Sequence, residues 1–366
     1  MTHRTIASFL AAAMLAAGSL ACGSEPTSSP IAAPRLAGAP HTAVRGITDL
    51  GTFGFQHAFG FEINDAGEIA ARGETGPPNA FSTRALFWSA HTGPVDLGTL
   101  GGPQSDPRAL NNHGMVVGLA MKPGDVFPQR HPVVWTVSPR GVTATELGPF
   151  VNGQAEDVNE RGVVVGWSSA TVFGPPTAFR WTAKGGIETI PPLGGPRSQA
   201  AGINEAGDVV GSSTVSPPFV DHAVVWWRDG SVTDIGTLGG GTGARSINDV
   251  GEVAGFGSPC PGCQPHAFYW SRATGIVDLG TFGGFRSFAF EIDNHGRVTG
   301  FYETLPGNVR HAFVWTLAGG KVDLPTLGGA NSSTGNINGR GQLTGFAQDG
   351  SGVNHAVIWQ IGPAKP

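Results

Sequence analysis

Tryptophan recurs at positions 88, 135, 181, 226, 270, 315 and 359, at intervals of 44 to 47 residues. Each closes a short apolar segment such as His266-Ala267-Phe268-Tyr269-Trp270 or His311-Ala312-Phe313-Val314-Trp315. A period of this length restricts the chain to copies of one supersecondary unit, each too small to bury its own apolar faces and stable only against its neighbours.

Two further landmarks keep step with the Trp. Ahead of it, an apolar residue meets a turn opened by Asn or Asp and closed three residues later by Gly, from Ile63-Asn64-Asp65-Ala66-Gly67 to Ile337-Asn338-Gly339-Arg340-Gly341. Asn or Asp caps such a turn with its side chain, and Gly supplies the left-handed backbone that lets a hairpin reverse. After it, a strand ends at Leu97, Leu147, Ile190, Ile235, Leu279 or Leu324, usually followed by a Gly-rich corner such as Thr99-Leu100-Gly101-Gly102. The unit is therefore four short antiparallel strands, named A to D, and matches a propeller blade. A small residue lies four places before each turn Asn or Asp, at Gly60, Pro107, Ala155, Ala200, Ala244, Ala289 and Thr334, as a crowded innermost strand requires.

The phase of the repeat predicts closure. Ordered structure begins at Ile47-Thr48-Asp49-Leu50, a D strand with no A, B or C before it, and the last repeat stops at the C strand His355-Ala356-Val357-Ile358-Trp359. The first strand is expected to complete the last blade, removing two open edges. The fold expected is an all-β, seven-bladed propeller over residues 46–366; an open array is the alternative and would need caps instead.

Composition agrees. Charged residues are 13% of the chain and Gly numbers 58 of 366, which favours strands and turns over helices. The formal net charge of −5, with no Lys/Arg cluster, argues against nucleic acid as a partner.

The His-Ala-Phe-x-Trp segments, with Asp-Leu-Gly-Thr-Leu-Gly-Gly at 96–102 and its Phe variant at 278–284, resemble the bacterial HAF-repeat proteins, a family of extracellular repeats. The resemblance spans nearly everything after residue 46. Arg84 and Thr177 stand where other repeats have His. It implies export and a repeat fold and carries over no catalytic residue.

Residues 1–21 read as a secretory signal, with Arg4 ahead of the apolar run Ile6 to Ala17. Ser19-Leu20-Ala21-Cys22 resembles a lipobox, which makes Cys22 the expected lipidation site; an ordinary cleaved signal is the alternative. Residues 22–45, rich in Pro, Ser, Ala and Gly, read as a flexible tether from a lipid anchor to the propeller. The expected location is the cell envelope or the exterior, with the membrane met through the anchor only.

His131, His222, His266, His311 and His355 share one place at the start of strand C. A radial arrangement keeps such residues apart, so structural imidazoles bonded to a neighbouring Gly-rich corner are expected in preference to a metal ring. Counting across the C to D hairpin from Trp315 and Val322 sets His311 opposite Thr326, and His222, His266 and His355 near Thr237, Thr281 and Thr52. Cys260-Pro261-Gly262-Cys263 lies in a B to C loop and reads as a disulfide across a type II turn; a metal site with His266 and free thiols are the rivals. No metal or other cofactor is expected.

No nucleophile elbow or metalloprotease helix occurs in the sequence. Glu62, Asp157 and Glu291 in A strands face a central channel or are satisfied by backbone. The long, varied B to C loops share a face with the D to A corners, and Phe127, Phe173 and Phe219 in them are the expected ligand contacts. The expected function is a non-catalytic binding or adhesion module for a glycan or protein. The alternatives are a hydrolase or lyase of an extracellular polymer, marked by acids or His residues from several blades converging in a pocket, and a structural envelope protein.

Overall fold

A computed structural model of the chain describes residues 42–76, 82–217 and 219–363. Cys22, the signal segment and the tether up to residue 41 lie outside the described residues. The described residues contain strands and no α-helix, and no helix is long and apolar enough to cross a membrane.

Seven four-stranded antiparallel sheets form a ring. The A strands of blades 1 to 6 are His57–Ile63, Ser105–Leu110, Asn152–Val158, Gly194–Ile203, Thr242–Ile247 and Arg286–Ile292, each followed by its B, C and D strands in order. Blade 7 is Gly328–Ile337, Gln342–Asp349 and Asn354–Pro363, with the opening strand Thr42–Gly51 as its fourth member. Ile47 pairs with Trp359 and Thr48 with Ile358, so the two ends of the fold share one sheet. The opening strand starts at Thr42, inside the segment expected as tether: Thr42, Ala43 and Val44 pair with Pro363, Gly362 and Ile361. The last strand runs beyond Trp359 and offers those residues a partner edge, so the propeller begins before residue 46.

The core lies between blades rather than within them. One apolar cluster fills each of the seven joints, including the joint between blades 7 and 1, where Ile63, Ile69 and Leu86 meet Leu50, Phe53, Phe55 and Ile358. An open array would leave one apolar face uncovered; here every face has a partner. The repeated tryptophans belong to these joints, with Trp135 and Trp359 fully buried. The small strand A positions follow from the same packing: a Cβ at Gly60 would collide with Thr344 and Gly345 of blade 7.

The A strands of blades 4 and 7 have an irregularity near their start, and in its last few residues every A strand carries one extra residue against its B strand, as where Gly60 pairs with Ala71 but Glu62 with Ala70. This β-bulge sits just before the turn and aims neighbouring side chains at the channel.

Candidate functional site

Strand A runs from the face of the B to C loops to the face of the A to B turns, so its residues line the channel in layers. At the A to B end the channel widens into a cavity of about 250 Å³. Glu62, Asp157 and Glu291, from blades 1, 3 and 6, stand at its floor, and Asp65, Glu160, Glu205 and Asp249 ring its rim.

Burial, reinforced by the other floor carboxylates, holds Glu62 well above the usual carboxylate range. Burial and Asp157 raise Glu291 to about 8, against an opposing hydrogen bond from Ser246. Burial raises Asp157 to about 6, although the backbone N–H groups of Ile203 and Val158 donate to it at 2.8 and 2.7 Å. Both sequence readings of these acids therefore apply: they face the channel, and two are also tied to backbone. Glu291 accepts from Ser246 Oγ and from the Ile292 N–H at 3.2 Å. Among the described residues no three His, Cys, Asp or Glu side chains are grouped to hold a metal ion.

The rim is built from the turn residues. Each turn Asn caps its own hairpin, as when Asn64 Oδ1 accepts from the N–H groups of Ala66 and Glu68. It also reaches the next blade: Asn64 donates to the carbonyl of Asn111, Asn111 to Asn159, Asn159 to Asn204, Asn204 to Asn248, Asn248 to Asp293 and Asn338 to Asn64. A second belt runs through the following position, where the N–H groups of Asp65, Asn112, Glu160, Glu205, Asp249 and Gly339 donate to the side chain of the next blade. Both belts skip the joint between blades 6 and 7, where the side chain of Asp293 has no N–H to give and pairs with Arg297, and Gly339 has no side chain to accept. The belts were hidden in the sequence because the turn motif alone explained the Asn.

At the B to C end the character reverses. In the strand A position just above the acids stand Phe61, Arg108, Glu156, Arg245 and Phe290. Glu156 Oε1 accepts from Trp167 Nε1 at 3.1 Å and from Gln154 Nε2, while its Oε2 lies 4.0 Å from Arg108 Nε and 3.9 Å from an Nη of Arg245. Arg245 belongs to blade 5, so this bridge spans the channel above the acidic cavity. Arg130, from the B to C loop of blade 2, lies with its guanidinium 5.4 Å from the Trp167 ring centre. Burial and the neighbouring Arg108 push Arg130 below its ordinary range. Sequence reasoning passed over these three arginines. Arg108 and Arg245 sit at one register of the repeat, which is the signal that could have found them.

The phenylalanines expected as contacts are exposed on the loops of three successive blades: Phe127 is 73% exposed, Phe173 86% and Phe219 55%. Val126 and Leu305 are exposed on loops of the same face. The three exposed aromatic side chains therefore lie at the end opposite the acidic cavity, whereas Val250 is exposed on an A to B turn. Cys260 and Cys263 are disulfide-linked across their loop, Cα atoms 5.2 Å apart, with the Cys263 N–H closing the turn on the Cys260 carbonyl at 3.1 Å.

The strand C histidines are structural in contact, but their partner differs from the one expected. His222, His266 and His355 each meet the Asp of strand D, Asp234, Asp278 and Asp49, at 2.9 Å, rather than a corner Thr. Trp315 pairs with Lys321 and not Val322, and a shift of one residue moves Asp onto the His face. Arg84 replaces His in blade 1 and keeps the same partner, meeting Asp96 at 2.9 Å. His131 is buried between Asp125 and Glu146, both at 3.1 Å. In blade 6, Lys321 takes Asp323, and His311 turns to Thr304 instead.

No family model matches the chain, and no curated protein matches it. Solved structures do. The β-propeller domain of the Trilobed protease from Pyrococcus furiosus superposes with a TM-score of 0.55 at 8% identity, covering 85% of this chain and 97% of that one. Virginiamycin B lyase from Staphylococcus aureus gives 0.53 at 8% identity, covering 86% and 99%. Pyrococcus horikoshii acylaminoacyl peptidase gives 0.54 at 12% identity, covering 87% of this chain and 54% of the peptidase, so this chain spans about half of that protein. At such identities the likeness shows the propeller fold alone.

Proposed function

We propose that the protein is an exported propeller, anchored by a lipid on Cys22 and displayed on a tether ahead of Thr42, which acts as a non-catalytic binding or adhesion module for a glycan or protein. The observation that carries this reading is the exposure of Phe127, Phe173 and Phe219 on three consecutive blades around one mouth of the channel. Apolar rings held in water by separate loops offer contact area that a partner can bury. A ligand array with the purified full chain tests it. Phe127→Ala, Phe173→Ala and Phe219→Ala combined should abolish the strongest binding while the melting temperature stays unchanged; binding that survives this triple change and replacement of the B to C loops refutes the choice of face.

A second reading, hydrolysis or elimination on an extracellular polymer, has one observation in its favour: carboxylates from three blades converge on one cavity with their proton affinities set apart, as an acid and base pair requires. Against it, Asp157 and Glu291 already serve backbone N–H groups. The peptidases and the lyase that share the fold give no residue-level support. Turnover of any polymer, lost in Glu62→Gln and Glu291→Gln, would favour this second reading over the first.

A further inference from the structure

Five buried polar atoms cluster where blades 2 and 3 meet the B to C mouth: Arg108 Nε, Arg130 Nε, Asn152 Oδ1, Gln154 Oε1 and Glu156 Oε2 have no hydrogen-bond partner among the described residues. Native proteins satisfy most buried polar atoms, so several orphans at one place point to a ligand that supplies what is lacking. Two are donors on guanidinium groups and three are acceptors. The side chain of Arg108 is only 9% exposed, and the one carboxylate facing it and Arg245 stays beyond hydrogen-bond reach of both. Arg130 adds a third guanidinium beside Trp167.

The ligand must therefore bring an anionic acceptor that takes the place of Glu156 before the arginines, and hydroxyl or amide donors for Asn152 and Gln154. A planar carboxylate suits the guanidinium fork. The donors wanted lie within a few residues of it, facing neutral amide oxygens, and the rim above carries isolated flat rings at Phe127 and Phe173. A sugar acid combines these features, with its carboxylate and its ring hydroxyls on one rigid frame and apolar C–H faces for the aromatic rim. We propose that Arg108, Arg130 and Arg245, with Asn152, Gln154 and Glu156, form a carboxylate-recognising subsite for a uronate-containing oligosaccharide at the B to C mouth. This rests on the reading of that face as the binding face. Glu156 serves as the internal counter-ion that the ligand carboxylate displaces.

Titration calorimetry of the full chain with trigalacturonate tests the proposal, with the neutral galactose trimer and triglutamate as comparisons. Saturable binding of trigalacturonate that weakens as salt is added is expected, with no comparable binding of the neutral trimer. Arg108→Gln and Arg130→Gln should each weaken it about tenfold or more, the loss expected for one charge-assisted hydrogen bond. Glu156→Gln should tighten it, because the competing carboxylate is gone. A merely structural role for Glu156 predicts no gain, so this variant keeps the test decisive if either arginine variant folds poorly. Equal binding of the neutral trimer, undiminished in the arginine variants but lost in the triple Phe variant, overturns the carboxylate subsite while sparing the reading of the face. Binding of triglutamate without trigalacturonate overturns the sugar assignment, and no binding of either acid overturns the subsite altogether.

Discussion

Asn338 donates its side-chain amide to the backbone carbonyl of Asn64 at 2.9 Å, joining residues 274 apart in the chain. The same amide also donates to Gln342 Oε1, while its oxygen caps the turn by accepting from the N–H groups of Arg340 and Gln342. One side chain thus shapes a hairpin and fastens the last blade to the first.

Asn338→Asp keeps the capping acceptor and removes both donors, and Asn338→Ala removes all of them. Chemical denaturation should show Ala costing about 1–3 kcal/mol, the price of stranding buried partners, with Asp costing less. Equal costs for the two would mean that the turn cap adds nothing to the donated links, and no cost for Asp would mean that the link to Asn64 contributes nothing.

The channel acids impose an unusual pH dependence. Glu291, raised to about 8, keeps its proton in the folded state where an unfolded carboxyl, near pH 4.3, has lost it. The folded form therefore binds more protons between those values, and its stability falls as pH rises from about 5 to about 8. Glu291→Gln retains the neutral form throughout. Melting temperatures of the two proteins should diverge in favour of Gln across that window and stay at a constant difference above it. Parallel curves would show that Glu291 is ionised in the fold.

Exposed and buried histidines in the same register should differ. His266 and Asp278 are 20% and 39% exposed, so His266→Ala should cost under about 1 kcal/mol. His131 is 5% exposed between Asp125 and Glu146, and His131→Ala should cost about 1–3 kcal/mol by removing a buried hydrogen-bonding ring, with Lys122 still meeting both carboxylates. Denaturation midpoints of the two variants check the order.

The disulfide closes only a four-residue turn, and chain entropy gives such a short loop about 2 kcal/mol or less. Cys260→Ser with Cys263→Ser should lower stability by no more than that, leaving the circular dichroism spectrum unchanged.

Much of this architecture was legible in the sequence because each blade repeats its apolar spacing, its Asn turn and its Gly, and because the opening strand had no A, B or C of its own. What was not legible depends on neighbours. The His partner turned on a single residue of register at Trp315, which spacing alone does not settle. The Asn belts need the rise between blades, since a local turn accepts Asp as readily as Asn; the preference for Asn at six of seven turns was the available sign. Arg108, Arg130 and Arg245 are scattered over nearly 140 residues, and only the ring brings two of them within 4.0 Å of Glu156.

Ring closure underlies every functional statement above, since the channel and its two mouths exist only if blade 7 holds the opening strand. Thr48→Cys with Ile358→Cys places thiols on directly paired residues of that strand and the final one. Oxidation of this double variant at low protein concentration should give an intramolecular cross-link, seen as a faster-migrating monomer on non-reducing gels, together with a higher melting temperature. Free thiols after oxidation, or cross-linked dimers in place of the monomer, would contradict a closed seven-bladed ring.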